Sequence, residues 1–422
     1  MPSTIAIVGT GYVGLTTGVG LAHLGHTVIC ADVDADKINE LRAGRIPIRE
    51  AGLPELLSDA LADQRLSFVL GSEHAVAEAD IVFLCLPTPQ ATNGEPEMGY
   101  VLAAAETIGP LLRPGTIVVN KSTVPIGASQ MVATALGRAD VSVVSNPEFL
   151  REGTAVSDFL NPQRIIVGGD DPIANQRVAD LYQAFTCPVL MTDAASAEAC
   201  KYASNAFLAM KLSFVNTMAA ICESYGADID AVTAGMGHDA RIGPDFLQPG
   251  PGWGGSCFPK DTQALISLAN QQGIDFALLR AAVDANQQQF DRVTDKVGSV
   301  VDLAGATVAV LGLTFKAGTD DTRDSPALEI VKRLTARGAT VRAHDPALTT
   351  APNGIELHDD VFAAAQGCDA VVIATEWPEY AKLDLSRLAE VVNQRHLIDT
   401  RNLLAYSDAE QHGFTYQNIG RS

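Results

Sequence analysis

Positive charge is scarce in this sequence of 422 residues. Lysine and arginine together number 29, against 50 aspartate and glutamate residues, and the formal net charge is −21. A surface with this charge repels nucleic acid and anionic membranes, so we expect neither as a partner. It also repels anionic small molecules. A phosphate site in this protein therefore needs a local group of basic side chains and backbone N–H donors.

Long apolar runs and paired cysteines are also missing. The longest apolar stretches, such as AVVIATEW at 370–377, are far shorter than the ~20 residues of a membrane-spanning helix. The N-terminal segment has no basic stretch followed by an apolar stretch and a cleavage site, so we expect no secretory signal. The seven cysteines form no CxxC pair, which argues against a disulfide framework or a zinc site. We therefore expect a cytoplasmic protein that binds no metal.

The first part of the chain has the pattern of a doubly wound α/β domain. Its strand candidates are rich in Val and Ile and almost continuously apolar, which is typical of parallel strands covered on both faces. Helical patterns lie between them. The strand candidates are 5–9, 27–33, 79–87, 115–122, 141–147 and 164–169.

The middle of the chain changes character, and a second α/β pattern follows it. Residues 194–225 contain no Gly or Pro and predict one long helix that ends at Gly226. Further helices are predicted at about 261–271 and 276–297, and a Gly- and Pro-rich loop precedes them at 243–261. We predict an α/β fold with three domains. These are a Rossmann-like domain at 1–193, a helical dimerisation domain at 194–300, and a second Rossmann-like domain at 301–422.

A dinucleotide-binding fingerprint joins the first strand to the first helix. The motif Gly9-Thr10-Gly11-Tyr12-Val13-Gly14 places glycines where a tight turn, a pyrophosphate and close helix packing each require them. The second strand ends near Asp32, at the spacing expected for the acidic residue that accepts hydrogen bonds from the ribose. An acidic side chain repels a 2′-phosphate, which favours NAD over NADP. Lys37 nearby weakens this exclusion.

The loop around Cys257 carries the strongest chemical signal. We expect Gly254 and Gly255 to leave space for a bulky substrate beside the sulfur. Pro259 suits the first turn of a helix beginning near residue 260. Cys257 then lies at a helix N-terminus, which stabilises a thiolate. Asp261 follows one helical turn later.

Lys201 and Asn205 lie four residues apart on the predicted long helix and therefore share a face. Together they are suited to donate hydrogen bonds to one developing oxyanion.

Eight segments, in order along the chain, resemble the UDP-glucose/GDP-mannose dehydrogenase family, and within it the dehydrogenases of UDP-glucose. The most specific are NPEFLREGTA and GWGGSCFPKD. The segments are GTGYVG (9–14), KSTVPIG (121–127), NPEFLREGTA (146–155), KYASNAFLAMKLSF (201–214), RIGPDFL (241–247), GWGGSCFPKD (252–261), LGLTFKAGTDDTRDSPA (311–327) and DTRN (399–402).

The resemblance implies a catalytic set and a reaction. It implies NAD-dependent oxidation of UDP-glucose to UDP-glucuronate, a precursor for polysaccharide biosynthesis, by a homodimer. Cys257 is the implied nucleophile, and Lys201 and Asn205 are the implied oxyanion donors. Asp261 assists proton transfer in this scheme, and Glu148 and Thr123 position or activate water.

The resemblance also implies contacts to substrate and cofactor. Glu152 and Arg323 are expected near NAD, together with Thr123 and the fingerprint residues. Arg241 is expected to reach the site of a neighbouring subunit. Trp253 stands where Tyr or Phe is more usual. The positions expected to line the substrate site are Phe149, Leu150, Arg151, Glu152, Lys201, Asn205, Arg241, Phe246, Leu247, Gly254, Lys316 and Arg401.

Three other functions are compatible with parts of the sequence. A sister enzyme acting on GDP-mannose or a UDP-amino sugar has the same chemistry, although relatives specific for amino sugars resemble GGHC where this chain has Ser256 before the cysteine. A simple hydroxyacid dehydrogenase needs no cysteine nucleophile and leaves the 252–261 loop unexplained. A catalytically silent NAD-binding protein is disfavoured because all the candidate catalytic groups are present.

Overall fold

A computed structural model describes residues 2–91, 94–350, 352 and 355–421. The chain divides into two compact units. The first comprises residues 1–204 and 263–268, and the second comprises residues 205–262 and 269–422.

The first unit is built on a sheet of eight strands with helices between them. The strands are β1 Thr4–Val8, β2 Thr27–Asp32, β3 Leu66–Leu70, β4 Ile81–Leu84, β5 Ile117–Asn120, β6 Ser142–Ser145, β7 Ile165–Gly168 and β8 Val189–Thr192. The helices are α1 Tyr12–His23, α2 Ala35–Arg42, α3 Leu53–Ala62, α4 Glu73–Val76, α5 Gly99–Ile108, α6 Ala128–Leu136, α7 Ala155–Leu160 and α8 Pro172–Asp180.

The strand order of this sheet is β3-β2-β1-β4-β5-β6-β7-β8. All neighbouring strands are parallel except β6 and β7, which form a short antiparallel pair. The order reverses between β1 and β4, and such a switch point is where doubly wound sheets bind ligands. Side chains of β1 alternate between two cores: Ile5 and Ile7 pack on one face, and Ala6 and Val8 pack on the other.

Four helices follow along the chain. They are α9 Ala194–Tyr225, α10 Ile229–Gly237, α11 Phe258–Gln271 and α12 Ala277–Gly298. Residues 194–204 of α9 belong to the first unit, and its remaining residues belong to the second. In the second unit, Val215 and Ala219 of α9 and Val293 and Val297 of α12 are buried in the core of the second sheet.

The second sheet has six parallel strands in the order β11-β10-β9-β12-β13-β14. The strands are β9 Thr307–Leu311, β10 Thr340–His344, β11 Glu356–Leu357, β12 Ala370–Ile373, β13 His396–Asp399 and β14 Thr415–Gln417. The helices are α13 Pro326–Ala336, α14 Val361–Ala365, α15 Leu385–Val391 and α16 Tyr406–Gln411. The switch point of this sheet lies between β9 and β12.

The two sheets repeat one hydrogen-bonding pattern. In the first, a carboxylate oxygen of Asp32, at the end of β2, accepts from the N–H and hydroxyl of Thr10. In the second, Asp345, just after β10, accepts from the N–H and hydroxyl of Thr314. Asp345 is 4 % exposed, and the indole of Trp377 also lies 3.4 Å from it. The carboxylate of Asp345 is therefore not accessible to the ribose of a dinucleotide.

The predicted fold class is confirmed: two Rossmann-like sheets, parallel except for the β6–β7 pair, are separated along the chain by a long helix. The predicted helix at 194–225 is confirmed with the same limits. The sequence patterns did not predict strands β3, β8, β11 and β14.

Candidate active site

The fingerprint loop has the conformation that a pyrophosphate site needs. Gly9 has φ +97°, and a Cβ there meets the Cys85 carbonyl oxygen at 2.5 Å. A Cβ on Gly14 lies 1.9 Å from the Gly9 carbonyl oxygen, so α1 packs directly on the loop. At Gly11, by contrast, a Cβ meets nothing within 4 Å. This open space lies at the start of α1, where N–H groups face outward, and it fits the phosphates of NAD.

Asp32 is anchored as a carboxylate beside this loop. Its oxygen accepts from the Thr10 N–H at 2.9 Å, the Thr10 hydroxyl at 2.6 Å and the Lys37 ammonium at 3.1 Å. Burial alone raises its pKa, but these hydrogen bonds and one from the Asp34 N–H outweigh burial and lower the pKa to about 2. The carboxylate is thus ionised at neutral pH and suits a ribose that carries two free hydroxyls.

Glu50 joins the fingerprint to the NPEFLREG segment. Its carboxyl group accepts from the Tyr12 hydroxyl at 2.6 Å and the Gly153 N–H at 2.8 Å. The Tyr12 hydroxyl also lies 2.8 Å from the Arg151 carbonyl oxygen. Glu50 is 5 % exposed. Sequence analysis did not identify it, because an isolated Glu between two helices carries no motif.

Glu148 and Lys201 form a buried ion pair. Their side chains are 6 % and 4 % exposed, and the carboxylate oxygen lies 2.8 Å from the ammonium nitrogen. The other carboxylate oxygen accepts from the Leu150 N–H at 2.6 Å. Burial opposes ionisation of Glu148, but the attraction and hydrogen bond from Lys201 outweigh it and lower its pKa. The Lys201 ammonium also lies over the ring of Phe149, 5.4 Å from its centroid.

Thr123 and Lys201 line the same small cavity, which Ser122 and Glu198 also border. Thr123 is half-buried, and its carbonyl oxygen accepts from the Thr88 hydroxyl at 2.8 Å. Glu198 accepts from the N–H groups of Gly127 and Ser129, at 2.6 and 3.0 Å. It therefore fixes the KSTVPIG segment to α9.

The remaining candidate site residues of the first unit are more exposed than Glu148 and Lys201. Arg151 is held by Asp158 through two guanidinium hydrogen bonds of 3.0 and 2.6 Å. Leu150 and Glu152 are half-buried in the same segment. Phe149 is covered by the guanidinium of Arg164, which lies 3.8 Å from its ring centroid.

Cys257 occupies the N-cap position of α11, as its sequence context predicts. The helix begins at Phe258, two residues earlier than expected, with Pro259 in its first turn. The residue is partly exposed, and its sulfur lies 3.6 Å from the Ser256 hydroxyl. A thiol at the N-terminus of a 14-residue helix lies in positive potential, which favours the thiolate.

Asp261 lies one turn into α11 and is fully buried. Its two carboxyl oxygens accept from the Asn205 amide at 2.6 Å and from the Lys260 ammonium at 2.5 Å. In the second unit, Asn205 and Asp261 are therefore in direct contact, one turn from Cys257. Lys260, which sequence analysis did not assign a role, was present in the GGSCFPKD motif.

The glycines before Cys257 lie close to other parts of the second unit. A Cβ on Gly254 lies 1.8 Å from the Asp324 carbonyl oxygen, and one on Gly255 lies 2.7 Å from the Phe315 ring. These contacts give a packing reason for both glycines, and the expectation that they leave space for a substrate beside the sulfur stays a prediction. Their lack of a side chain lets the loop pack against residues 315–324 in the second unit.

Residues 241–247, which precede this loop, include both buried and exposed candidate residues. Leu247 is buried, and Phe246, with φ +60°, packs edge-on against Phe258 at 6.3 Å. The Arg241 side chain is 89 % exposed and pairs with Asp239, two residues earlier, at 2.6 Å. Trp253, which stands where Tyr or Phe is more usual, is 6 % exposed, so its side chain is buried.

Lys316 and Arg401 follow β9 and β13, at the carboxyl edge of the second sheet. Arg401 lies 2.9 Å from the Ala374 carbonyl oxygen and 3.1 Å from Glu376. Lys316 lies over the ring of Phe315. Arg323 is exposed and is bound by Asp321, at 2.6 Å.

No group of three or more His, Cys, Asp or Glu side chains is placed to hold a metal among the residues that the structure describes. All seven cysteines are free thiols.

Family models match three successive regions of the chain. They are the NAD-binding domain of the UDP-glucose/GDP-mannose dehydrogenase family at residues 3–186, its central domain at 195–288, and its UDP-binding domain at 309–406. The chain is 43 % identical to a UDP-glucose 6-dehydrogenase of Bacillus subtilis over 99 % of its length and 93 % of the relative's. It is 42 % identical to one of Rhizobium meliloti over 99 % of both chains.

A solved structure agrees with these matches. A UDP-glucose dehydrogenase of Pyrobaculum islandicum superimposes with a TM-score of 0.92 and 37 % identity, covering 100 % of this chain and 98 % of that one. The chain belongs to the UDP-glucose/GDP-mannose dehydrogenase family and is an NAD-dependent dehydrogenase.

Proposed function

We propose that the chain oxidises the C6 alcohol of UDP-glucose to the carboxylate of UDP-glucuronate. The observation that carries the proposal is Cys257, a partly exposed thiol at the start of α11, one turn from the buried Asn205–Asp261 pair. Relatives about 40 % identical over their full length are UDP-glucose 6-dehydrogenases.

The reaction removes four electrons in two steps. The alcohol first loses a hydride and a proton to give an aldehyde. The Cys257 thiol adds to this aldehyde and forms a thiohemiacetal, which prevents its escape. Loss of a second hydride and proton gives a thioester, and water releases the carboxylate and regenerates the thiol. NAD supplies a hydride acceptor when bound, one molecule for each step.

Polar side chains stabilise the developing charges in this scheme. Lys201 and Asn205 donate to the oxyanion, whose charge grows at each step. Asp261 takes up the hydroxyl proton through water. Glu148 and Thr123 orient the water that attacks the thioester. The lowered pKa of Glu148 keeps its carboxylate ionised and able to accept a hydrogen bond from that water.

We assign the binding of NAD and substrate to two groups of residues that share Glu152. The fingerprint glycines 9, 11 and 14, with Tyr12, Val13, Asp32 and Lys37, hold NAD, and Thr123, Glu152 and Arg323 lie near it. The sugar and nucleotide contact Phe149, Leu150, Arg151, Glu152, Phe246, Leu247, Gly254, Lys316 and Arg401, with Arg241 donated to a second subunit.

We further propose a cytoplasmic homodimer with domains at 1–193, 194–300 and 301–422. Seven free thiols are typical of proteins in reducing compartments. Helix α9 is long and apolar enough to span a membrane by length and composition, as core helices of soluble proteins also are. Its exposed phenylalanines support an interface role instead.

The test counts NADH formed for each sugar nucleotide consumed. UDP-glucose, GDP-mannose and UDP-N-acetylglucosamine are offered separately. We expect two NADH for each UDP-glucose and little from the others. One NADH for each sugar contradicts the four-electron scheme. Turnover of another sugar nucleotide with two NADH keeps the mechanism and changes the substrate.

A cysteine variant tests the covalent step. We expect Cys257→Ser to abolish steady-state formation of UDP-glucuronate, while Cys187→Ser, at a partly buried free thiol, retains it. Normal production of UDP-glucuronate by Cys257→Ser contradicts the role of the thiol.

A further inference from the structure

Three buried carboxamide side chains hold the backbone of residues 250–253, just before Cys257. The Gly250 N–H donates to the Asn216 side chain, and the Gly250 carbonyl accepts from the Gln289 amide, both at 2.8 Å. The Trp253 N–H donates to Asn286, and the Trp253 carbonyl accepts from the same side chain, again both at 2.8 Å. We call Asn216, Asn286 and Gln289 the amide clamp.

The chemistry of the clamp is specific to carboxamides. Asn286 offers an acceptor and a donor from two separate atoms to the N–H and the carbonyl of one residue, which an ionised carboxylate or an ammonium cannot match. The three clamp side chains are 2–3 % exposed. Loss of one therefore leaves a buried backbone group of the loop without a partner.

Close packing of the loop accompanies these hydrogen bonds. Gly252 has φ +126°, and a Cβ there lies 2.4 Å from the Phe290 ring of α12. The Trp253 indole N–H donates to the Ser213 hydroxyl at 2.9 Å, and that hydroxyl donates to the Ala282 carbonyl at 2.6 Å. Side chains of α9 and α12 thus fix both ends of the segment 250–253.

One helix carries part of the clamp and a proposed oxyanion donor. Asn205 and Asn216 are eleven residues apart on α9, which is about three turns, so they lie on the same face. Asn286 and Gln289 are three apart on α12 and also share a face. Because both helices are long, the loop is attached to rigid elements rather than to other loops.

We propose that the amide clamp positions the nucleophile: Asn286, Asn216 and Gln289 set the place of Cys257 relative to Asn205 by fixing the backbone of residues 250–253. The clamp residues act through the loop and are positioning residues. The proposal rests on the role proposed above for Cys257. Misplacement of a reacting group by about 1 Å costs on the order of 100-fold in rate, so a small displacement of this loop has a large effect.

The experiment measures catalysis and thiol reactivity in the same variants. Asn286→Ala removes two hydrogen bonds, and Gln289→Ala removes one and is the milder alternative if the first does not fold. Gln288→Ala changes an exposed residue on the same helix and is the matched control. The readouts are kcat, KM for NAD, and the rate at which iodoacetamide labels Cys257 relative to Cys187 in the full-length enzyme, quantified by mass spectrometry.

We expect kcat to fall at least tenfold in Asn286→Ala and less in Gln289→Ala, with KM for NAD within twofold of the parent. We expect the Cys257 to Cys187 labelling ratio to change at least threefold in Asn286→Ala and to stay constant in Gln288→Ala. A labelling ratio unchanged in both clamp variants overturns the proposal, whatever happens to kcat, because a merely structural role leaves the thiol environment intact.

The labelling ratio also distinguishes a failure of this proposal from a failure of the proposed function. If Cys257→Ser retains full turnover, the catalytic role fails. A changed labelling ratio in the clamp variants then still shows that the clamp sets the environment of the thiol.

Discussion

Lys201 has one ammonium group and two tasks. It neutralises Glu148, 2.8 Å away in a buried site, and in the proposed reaction it stabilises an oxyanion. Because Glu148 has a lowered pKa, its ionised form contributes stability above the pKa of a free Glu, about 4.3. That contribution is lost as the pH falls through the lowered value. In the proposed reaction, the oxyanion of the substrate therefore competes with Glu148 for the ammonium group of Lys201.

The variant Lys201→Ala tests both tasks. We expect kcat to fall on the order of 100- to 1,000-fold with a smaller change in KM, because an oxyanion contact strengthens in the transition state. We also expect the free energy of unfolding to fall by about 3–5 kcal/mol, since Glu148 is left buried without its partner. Steady-state kinetics and urea unfolding measure the two effects.

A double variant separates them. Lys201→Ala with Glu148→Gln removes the unpaired charge, so it should recover much of the stability and none of the kcat. An effect of Lys201→Ala on KM alone contradicts the role of Lys201 in the transition state.

Among elements, helix α6 begins without a cap of its own. Its N-cap is Gly127, which has no side chain, and the N–H groups of Gly127 and Ser129 instead donate to Glu198 of α9. The same carboxyl group accepts from the hydroxyls of Ser129 and Ser145. A side chain remote in sequence thus closes the helix and orients the KSTVPIG segment.

We expect Glu198→Gln to lower the free energy of unfolding by about 1–3 kcal/mol, because an amide replaces one of the two accepting oxygens with a donor. Urea unfolding with an unchanged m-value is the measurement. Glu106→Gln, at an exposed position on α5, is the control and should stay within about 0.5 kcal/mol of the parent. Equal stability of both variants would show that Glu198 does not cap α6.

Sequence patterns predicted the elements that have strong periodicity or strong breakers. The helix at 194–225 has no Gly or Pro inside it and Gly226 after it, and its limits were predicted correctly. Strand β3, LSFVL, is short and interrupted by an exposed serine. Strand β8, at the sheet edge, is largely exposed. Strand β3 therefore lacks a continuous apolar run, and the run in β8 is only Val189, Leu190 and Met191.

In the candidate site, too, residues were predicted only where they belong to a recognisable sequence segment. Cys257, Lys201 and Asp261 belong to recognisable segments, whereas Glu50, Glu198 and the amide clamp act through contacts between residues distant in the chain. Asn286 and Gln289 have helical spacing, but spacing alone does not reveal that their partners are backbone groups of residues 250–253.

At the scale of the whole molecule, α9 exposes an apolar stripe. Phe207, Phe214 and Ile221 are spaced by seven residues and are 62 %, 51 % and 45 % exposed. A heptad spacing places such side chains along one side of a helix. Exposed apolar surface of this kind is typical of an interface, here proposed to join two copies of the chain.

We expect Phe214→Glu to shift the protein from a dimer toward the 44.4 kDa monomer, because a charge at an apolar interface is desolvated without a partner. Light scattering after size-exclusion chromatography measures the mass over a range of concentrations. Ile274→Glu, at an exposed apolar residue outside α9, should leave the mass unchanged. A parent protein that is monomeric at every concentration contradicts the proposed dimer.

The buried position of Trp253 has an optical consequence. The chain has two tryptophans, and Trp377 is buried in the second Rossmann-like sheet. Trp253 lies four residues before the proposed nucleophile, with its indole N–H bound to Ser213. With Trp377 replaced by Phe, the intrinsic fluorescence of the protein comes from a single indole whose surroundings change whenever this loop moves. The enzyme therefore carries its own spectroscopic reporter of the loop, without an attached dye.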